Sequence, residues 1–324
     1  MKIQSIEAPT SGLITCLRAP DAPEALSLGR SLRLNSPATR AVCIVDGELP
    51  PGARERLLEC YEHVYPLRPE HQGMGWQVKQ TMVQYTPFDK SLFLDSDCLV
   101  LKDLTPFLEQ ANPQPICFAT KAEPLQETGA ALYAVINLQY LFKRFNVDWW
   151  PQILGGGHFV FLKTPEAHRI FERALYWRDP ELIREFGWTE SKRTAPDELT
   201  LQIALVEAGL NRSCAMPDAP LMYWTPWESG WPDVFEQRTS HIDSATGRRV
   251  WDDGHYVAHF GGVGEHFVFL REQWRLSWFG GAGAGRAHRA AAWLTKPIFH
   301  LAALLYVKGR NGWGRVKRAL GAAR

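Results

Sequence analysis

In roughly the first 120 residues, short apolar segments alternate with segments of helical pattern, and this alternation constrains the fold more than any other feature. Each apolar segment has the length and composition of a buried strand. Strands separated by helices of about ten residues form βαβ units with a mostly parallel sheet. The predicted strands are Gly12–Leu17, Arg40–Val45, Ser91–Leu94 and Ile116–Ala119, and the predicted helices are Pro23–Leu34, Pro51–Tyr61 and Trp76–Tyr85.

The chain continues this pattern less regularly as far as residue 260. A strand is predicted in HFVFL, directly after the glycine run Gly155–Gly157, and a helix is predicted at Pro165–Trp177. Pro196–Leu210 is predicted to be helical because its apolar residues recur at the spacing of one helix face. Residues 217–255 predict long loops, and Tyr256–Phe260 predicts a short strand. The pattern indicates a single α/β domain whose mostly parallel sheet is flanked by helices.

Charge is divided unevenly along a chain whose formal net charge is only +1. Glu272 is the last acidic residue, and ten Lys or Arg residues follow it. The nearly balanced total gives no argument for a nucleic-acid partner. The basic C-terminal part predicts contact with something anionic, such as a phospholipid surface. The alternative is a basic segment that only neutralises the acidic body of the protein.

The charge division predicts a domain at 1–275 and a basic C-terminal extension at 276–324. Within the extension, Gly280–Ala292 predicts a linker and Pro297–Val307 predicts a helix that is apolar nearly all round. This apolar part is predicted to be too short and too interrupted to span a bilayer. Two placements stay open: in a membrane interface, with the basic residues of 286–324 against anionic headgroups, or packed on the domain.

The six cysteines are scattered along the sequence and form no CxxC pair. Together with the lack of a recognisable signal peptide, this distribution predicts reduced thiols and a cytoplasmic protein. A basic extension on such a protein would meet the inner face of the membrane, which predicts a peripheral membrane location.

The segment Lys90–Leu104 (KSLFLDSDCLVLKDL) carries the clearest chemical signal. An apolar strand delivers Asp95 and Asp97 at its carboxyl end, and residues i and i+2 of an extended chain point to the same side. Two converging carboxylates repel each other unless a cation lies between them, and oxygen ligands favour Mg²⁺ or Mn²⁺. Such an ion stabilises a diphosphate leaving group. The alternative is a strand end with two solvated carboxylates.

The run Gln80–Leu104 (QTMVQYTPFDKSLFLDSDCLVLKDL) resembles the central segment of retaining GT-A glycosyltransferases of family 8, the glycogenin and lipopolysaccharide galactosyltransferase type. Those proteins typically show a helix, a P-x-D-K-like turn, a strand and then D-x-D with an aliphatic continuation. The resemblance implies a GT-A fold, a UDP-sugar donor and a Mn²⁺ or Mg²⁺ ion at Asp95 and Asp97. It also implies transfer of a hexose to an acceptor hydroxyl, on a glycan, glycolipid or protein, with retention of the anomeric configuration.

Two further segments resemble parts of the same family that contact the donor sugar. Gly156 and Gly157 resemble a small-residue turn that approaches the sugar, since glycine permits close backbone approach. Asp197 and Glu198 are similar to a D-Q step, although Glu198 stands where the family has Gln. A carboxylate at that position would stabilise, or attack, an oxocarbenium-like centre. The alternatives are an ordinary turn and a helix N-terminus that carries acids because the helix dipole favours them.

The sequence from His259 to Gly262 resembles the start of the family's H-x-x-G-x-x-K-P-W motif. By resemblance, His259 completes the metal site, and Gly262 lies beside the donor. The K-P-W part is absent, so the family's lysine contact to the donor diphosphate has no direct counterpart. His266 or Arg271 is the expected substitute. The alternative for His259 is a structural histidine.

Weaker signals concern the nucleotide and the acceptor. Thr15 and Asp46 lie near the ends of the first two predicted strands, where the uridine pocket of the family begins. Lys79 precedes the D-x-D strand, where related enzymes place a cation, although a solvated lysine is the alternative. The aromatic residues of Tyr223–Trp231 are candidates for contact with a sugar acceptor, and core packing is their alternative role.

Two other functions are consistent with parts of the sequence. A haloacid-dehalogenase-type phosphatase would use Asp95 and Asp97 as its nucleophile pair and Asp252 and Asp253 as metal ligands. The D-x-D follows two strand–helix units rather than the first strand, which argues against this alternative. A non-catalytic carbohydrate- or nucleotide-binding protein on a transferase fold is the other, and the missing K-P-W motif keeps it open.

Overall fold

A computed structural model of the chain describes residues 10–118, 138–151, 158–185, 197–211, 222–224, 231–243, 245–261, 267–280 and 283–321. In its first half, strands and helices alternate as the sequence predicts. The strands are β1 (Ser11–Arg18), β2 (Arg40–Asp46), β3 (His63–Pro66), β4 (Lys90–Phe93), β5 (Cys98–Val100), β6 (Ile116–Phe118), β7 (Phe159–Leu162), β8 (Met222–Trp224), β9 (Thr239–Ile242), β10 (Arg249–Asp252) and β11 (Val257–His259). The α-helices are α1 (Ala22–Asn35), α2 (Ala53–Leu58), α3 (Thr105–Gln110), α4 (Leu138–Phe145), α5 (Pro165–Tyr176), α6 (Pro180–Arg184), α7 (Asp197–Glu207), α8 (Phe267–Phe279) and α9 (Arg286–Gly321).

The central sheet has six strands in the order β3-β2-β1-β4-β7-β6. β1 pairs in parallel with β2 and β4, β2 pairs in parallel with β3, and β7 runs antiparallel to β4 and β6. Buried apolar clusters lie on the sheet, one including Leu28 of α1 and another including Phe171 of α5. Burial on both faces explains why these strands are apolar throughout. The mostly parallel sheet flanked by helices is confirmed.

Several elements differ from their sequence-based prediction. β3 is missed because it is only four residues long and ends in Pro66, which an edge strand tolerates. The helix predicted at Trp76–Tyr85 is a 3₁₀ helix at Gly75–Gln84. Within 217–255, predicted as loops, β9 and β10 form an antiparallel hairpin. Both hairpin strands are short and largely polar, so they lack the apolar alternation that marks a half-buried strand.

A second sheet of three strands lies beside the central sheet. β11 is at its centre, antiparallel to β5 and parallel to β8. In this register His259 is paired with Cys98, and the backbone N–H of Phe260 donates to the carbonyl oxygen of Asp97 at 3.2 Å. Because β5 directly follows Asp95 and Asp97, the pairing carries His259 to the D-x-D segment.

The C-terminal part is more helical than the sequence predicts. Part of Gly280–Ala292, predicted as a linker, belongs to α9, and Ala292 is fully buried. The run of alanines explains this difference, since alanine is the strongest helix former. Arg286–Lys308 is, by length and composition alone, a segment that could cross a membrane, so the prediction that this part is too short is wrong. The predicted boundary after residue 275 falls inside α8, and the division into a domain and a basic extension stays a prediction.

A buried ionic cluster joins α8 and α9 to the loop before β9. Arg275 Nη1 lies 3.2 Å from Asp233 Oδ1 and 2.7 Å from Glu272 Oε1, and all three side chains are fully buried. Arg271 Nε lies 2.6 Å from the same Glu272 oxygen. Lys296 Nζ, on α9, lies 2.5 Å from Asp233 Oδ2. These contacts fix one side of α9 to the domain.

Asp233→Asn should destabilise the fold, because it leaves Arg275 and Lys296 short of a buried counter-charge. We expect the free energy of unfolding in urea to fall by about 3–5 kcal/mol. Glu62→Gln, in the exposed Arg40–Glu62 pair (2.9 Å), is the matched control and should change it by about 0–1 kcal/mol. Equal effects of the two substitutions would contradict a structural role for the cluster.

The same variant makes a prediction about pH. The buried arginine and lysine neighbours of Asp233 hold its pKa below the ordinary value of 3.8 although burial alone would raise it. A lowered pKa in the folded state contributes stability above the unfolded-state pKa and loses it as the pH falls. The stability difference between the wild type and Asp233→Asn should therefore shrink in urea titrations below about pH 4.

Candidate active site

Asp95 and Asp97 lie in the turn between β4 and β5. The backbone N–H of Cys98 donates to the carbonyl oxygen of Asp95 at 3.1 Å, which closes this turn. The two residues are therefore not in extended chain, and the prediction that alternation along a strand aligns them is wrong. Their carboxylates converge because the turn curls the chain towards His259.

His259 completes a group of three potential metal ligands. Its Nε2 lies 3.1 Å from Asp97 Oδ1 and 3.8 Å from Asp95 Oδ2, and the residue is only 5% exposed. One ligand atom from each of the three residues lies within 4.8 Å of the other two. Ligands about 2.0–2.1 Å from a hard divalent ion are spaced by roughly 3–4 Å, so these residues fit such an ion. Carboxylate oxygens and a neutral imidazole are ligands that Mn²⁺ accepts.

Lys79 forms a bridge between two of the predicted site segments. Its Nζ lies 2.6 Å from Asp197 Oδ2 and 3.3 Å from Asp95 Oδ1. The side chain is buried, so the alternative of a solvated lysine is wrong. Burial by itself lowers the pKa of Lys79, but the charges of Asp197 and Asp95 outweigh it and hold the pKa above its usual range. The lysine is therefore a fixed cation between two carboxylates.

Asp197 and Glu198 occupy the first turn of α7, as predicted. Asp197 is 5% exposed, and its carboxylate reaches Lys79. Gln80 holds the same turn, because its side-chain amide donates to the backbone oxygen of Asp197 at 3.1 Å and to Thr200 Oγ1 at 2.5 Å. Burial and the neighbouring charge of Asp197 raise the pKa of Glu198 to about 7. Glu198 therefore exchanges its proton near neutral pH.

Among the residues that the structure describes, this cluster holds more carboxylates than fixed positive charges. Asp95, Asp97 and Asp197 contribute three carboxylates, while Lys79 contributes one fixed positive charge. Burial alone would raise the pKa of Asp97, but the hydrogen bond and charge of His259 lower it below its usual value. A surplus of buried negative charge is costly unless a cation offsets it. The electrostatics therefore favour cation binding at this position.

A thiol and a second imidazole lie directly behind His259. Cys98 Sγ lies 3.0 Å from His158 Nε2, and the His158 ring contacts the His259 ring edge-on at a centroid distance of 4.7 Å. All three residues are buried. The sequence analysis missed Cys98 and His158, although His158 directly follows the glycine run. These contacts restrict the orientation of the His259 ring.

The predicted nucleotide contacts Thr15 and Asp46 lie on β1 and β2, and their contact with a nucleotide stays a prediction. Asp46 is half-buried at the end of β2 and accepts a hydrogen bond from the backbone of Gly73 at 3.3 Å. Thr15 is fully buried within β1, and its neighbour Cys16 points to the opposite face of the sheet. The pKa of the Cys16 thiol is raised by burial and by the charges of Asp46 and Asp95. Cys16, which the sequence analysis did not single out, therefore lies near Asp46 and Asp95.

Glu24, at the start of α1, is a further acid near the site that the sequence analysis missed. Burial raises its pKa to about 8, and the charges of Asp21 and Asp97 contribute to this shift. Its position after the first predicted strand was the available signal, since helix N-termini that follow strand ends face the ligand edge of such sheets.

The structure also limits several other candidates. Gly156, Gly157, Gly262 and His266 lie outside the described residues, as do the side chains of Tyr223, Trp224 and Trp227. Arg271 does not substitute for the missing lysine, because it is buried against Glu272 and the backbone oxygen of Pro232. Trp231 packs under Arg249, whose guanidinium carbon lies 3.7 Å from the ring centroid, and beside His300.

The structure argues against the phosphatase alternative, because Asp252 and Asp253 are not grouped with Asp95 and Asp97. Asp252 lies in β10 of the hairpin, where its carboxylate accepts from the backbone of Gly254 at 2.6 Å and lies 3.4 Å from His255 Nδ1. Among the described residues, the ligand groups that include Asp95 or Asp97 do not include Asp252 or Asp253.

No family model matches this sequence, and no curated protein matches it. Among solved structures, the chain is similar to the apo form of the bifunctional glycosyltransferase WbbM, with 13% identity and a TM-score of 0.50. That match covers 84% of this chain and 50% of WbbM, so the chain spans half the length of that protein.

Two further structures show weaker similarity. The galactosyltransferase LgtC, in complex with donor and acceptor sugar analogues, has 12% identity and a TM-score of 0.46, with 78% of this chain and 87% of LgtC covered. The glycosyltransferase GlyE of Streptococcus pneumoniae TIGR4 has 14% identity and a TM-score of 0.41, with 64% of this chain and 45% of GlyE covered. The match to WbbM, together with the sheet topology, shows that the chain has a GT-A glycosyltransferase fold, as the resemblance implied.

The raised pKa of Glu198 predicts a pH-dependent effect of Glu198→Gln. A carboxyl group with a raised pKa in the folded state destabilises the fold above the unfolded-state pKa, because ionisation favours the unfolded chain. We therefore expect the metal-free variant to melt about 2 °C or more above the wild type at pH values above about 7, and at the same temperature near pH 4.

The matched control for this experiment is Glu166→Gln, which replaces an exposed glutamate in the first turn of α5. It should not raise the melting temperature at either pH, because an exposed acid near a helix N-terminus is weakly stabilising. A wild type that is as stable as Glu198→Gln above pH 7 would contradict the assignment of a buried, proton-exchanging carboxyl group.

Proposed function

We propose that this protein is a metal-dependent glycosyltransferase that moves a hexose from a UDP-sugar to an acceptor hydroxyl with retention of the anomeric configuration. The observation that carries the proposal is the convergence of Asp95, Asp97 and His259, beside the Lys79–Asp197 pair, on a GT-A fold. The ligand set comes from two separate parts of the chain that the β5–β11 pairing joins.

Asp95, Asp97 and His259 are the residues that would hold Mn²⁺ or Mg²⁺. The bound ion supplies positive charge to a diphosphate, which makes UDP a better leaving group. The carboxylates of Asp95 and Asp97 would bind the ion and fix its position. His158 and Cys98 hold the His259 ring from behind. Lys79 keeps Asp95 and Asp197 at fixed positions, so its role is to position carboxylates rather than to contact the donor phosphates.

Asp197 and Glu198 are proposed to bind the donor sugar. Asp197 is already fixed by Lys79 and Gln80, so its free lone pairs face a defined direction. Glu198 has a pKa near 7 and is therefore available in both protonation states. Its neutral form donates a hydrogen bond to a sugar oxygen, and its ionised form stabilises positive charge at the anomeric carbon.

In the transfer, the bond between the anomeric carbon and the diphosphate oxygen breaks, and a bond from that carbon to the acceptor oxygen forms. The acceptor proton passes to an oxygen of the departing UDP, so no dedicated protein base is required. This route is consistent with the site, where Asp197 is paired with Lys79 and Asp97 lies beside His259.

The experiment that tests the proposal measures UDP release from a panel of UDP-hexoses, with and without Mn²⁺. The proposal expects metal-dependent release from at least one donor, which an acceptor accelerates. Tight UDP binding with no release from any donor would instead assign the non-catalytic binding function. Release of phosphate from p-nitrophenyl phosphate, without UDP release, would assign the phosphatase alternative.

Asp97→Asn should abolish the metal-dependent part of UDP release, because it replaces a charged ligand with a neutral amide. Its free energy of unfolding should stay within about 1 kcal/mol of the wild type, since the amide keeps a partner for His259. Titration calorimetry with Mn²⁺ and UDP measures the loss of metal binding directly and does not depend on turnover.

Asp243→Asn is the matched control, because it removes an exposed carboxylate in the turn after β9 that binds Thr246. It should leave both metal binding and UDP release unchanged. Metal-dependent release that survives in a folded Asp97→Asn protein would overturn the assigned metal site.

A further inference from the structure

The face of α9 that points away from the domain carries a stripe of exposed apolar side chains. Leu294, Ile298, Leu301 and Leu305 are 57–68% exposed. They recur at i, i+4, i+7 and i+11, the spacing of one helix face. Among the large apolar side chains that the structure describes, most of the strongly exposed ones lie on this helix or next to it. We name these four residues the outer stripe.

The opposite face of α9 is fixed to the domain. Ala292 and Ala303 are fully buried, and Phe299 packs edge-on against Phe279 of α8. Lys296 is bound to Asp233, and Arg289 donates to the backbone oxygens of Leu34 and Phe235 at 3.1 Å. The two placements left open by the sequence therefore do not exclude each other: one face packs on the domain and the other is exposed.

The positive charge of the C-terminal part is divided in the same way. Of the ten basic residues after Glu272, three point into the domain, namely Arg275, Arg289 and Lys296. The other seven have no acidic residue near them in sequence, since Glu272 is the last acid of the chain. These seven are Arg286, Lys308, Arg310, Arg315, Lys317, Arg318 and Arg324. One precedes the outer stripe and six follow it.

Aromatic residues border the outer stripe. Trp293 is 59% exposed, Tyr306 is 52% exposed, and Trp278 on the neighbouring α8 is 74% exposed. Tryptophan and tyrosine favour the boundary between lipid headgroups and acyl chains, because their rings are apolar and their tips are polar. An apolar stripe bordered by aromatic residues and basic flanks is the composition of a helix that lies in a membrane interface.

We propose that α9 docks this protein on an anionic phospholipid bilayer, with its axis in the plane of the membrane and the outer stripe at the level of the acyl chains. The contacts between α9 and the domain indicate whether the helix lies in the membrane interface or crosses the bilayer. A crossing helix would have to pull Lys296 away from Asp233 and expose Ala292, whereas a helix in the interface keeps both contacts. The inference is independent of the catalytic assignment.

The charge beside the outer stripe also indicates which partner covers it, an anionic bilayer or a second copy of this chain. In an isologous dimer the same surface is present on both subunits. Two copies facing through the outer stripe would bring their basic flanks together, and like charges repel. An anionic leaflet attracts each of those residues. The bilayer is therefore the occupant that fits both the apolar stripe and the charge.

The test uses the full-length protein and sedimentation with vesicles. Binding to phosphatidylcholine vesicles that contain phosphatidylserine should be strong, should weaken severalfold for pure phosphatidylcholine, and should weaken with added salt. The triple variant Leu294→Asn, Leu301→Asn, Leu305→Asn should bind the mixed vesicles at least about tenfold more weakly. Because these side chains are exposed, its melting temperature should match that of the wild type.

The matched control is the variant Leu58→Asn, Tyr176→Asn, which removes exposed apolar side chains from α2 and α5. It should bind the vesicles as the wild type does. Equal vesicle binding by the wild type and the triple variant would overturn the proposal. A dimer in light scattering that the triple variant dissociates, without vesicle binding by either, would instead assign the stripe to a second copy.

Depth and orientation are tested with brominated phospholipids, which quench tryptophan fluorescence at the acyl level. Quenching should fall in Trp293→Phe, because that residue borders the outer stripe, and should be unchanged in Trp150→Phe, whose ring is buried in the domain. Alkaline carbonate should release the protein from membranes. Retention after carbonate treatment would overturn the in-plane orientation and assign a spanning helix.

Discussion

The pairing of β5 with β11 is the contact on which the candidate active site depends. Asp97 and His259 are far apart in sequence, yet the register that opposes Cys98 to His259 brings their side chains within 3.1 Å. Backbone hydrogen bonds set this register, and the hydrogen bond from Phe260 to Asp97 extends it into the turn. A one-residue slip would turn the imidazole to the other face of the sheet. The three-stranded sheet is therefore part of the site's construction, not an appendage to the central sheet.

Electrostatics then determine what this geometry accommodates. Lys79 is the one fixed cation that the structure shows bound to the carboxylates Asp95 and Asp197, and its pKa stays raised because both acids surround it. Three carboxylates around one ammonium leave negative charge that a divalent ion matches. Burial is the main cause of the raised pKa values of Glu198 and Glu24, about 7 and about 8, and the charges of nearby carboxylates add to it.

Basic residues at two places in the fold are paired with buried carboxylates. Lys79 is enclosed by acids at the sheet edge, and Arg275 and Lys296 are enclosed by Asp233 and Glu272 at the C-terminal helices. At both places the carboxylates offset the positive charge, because an unpaired buried charge lowers the stability of the fold. In the sequence, most of the remaining C-terminal basic residues follow the outer stripe, and α9 has one side that packs on the domain and one side with exposed apolar side chains.

The sequence by itself determined the α/β class, the parallel strands and Asp95 and Asp97 as candidates, because apolar periodicity and motif spacing are local properties. The resemblance to a glycosyltransferase family added Asp197 and His259 to the candidates. The sequence predicted the excess of basic residues in the C-terminal part, but not which of them point into the domain. It also did not predict the burial of Lys79 and Arg271. Only the tertiary structure decided these, together with the Cys98–His158 contact and the turn that replaces the expected extended D-x-D. Each depends on which distant segments become neighbours, and burial and pairing are properties of neighbours in space rather than in sequence.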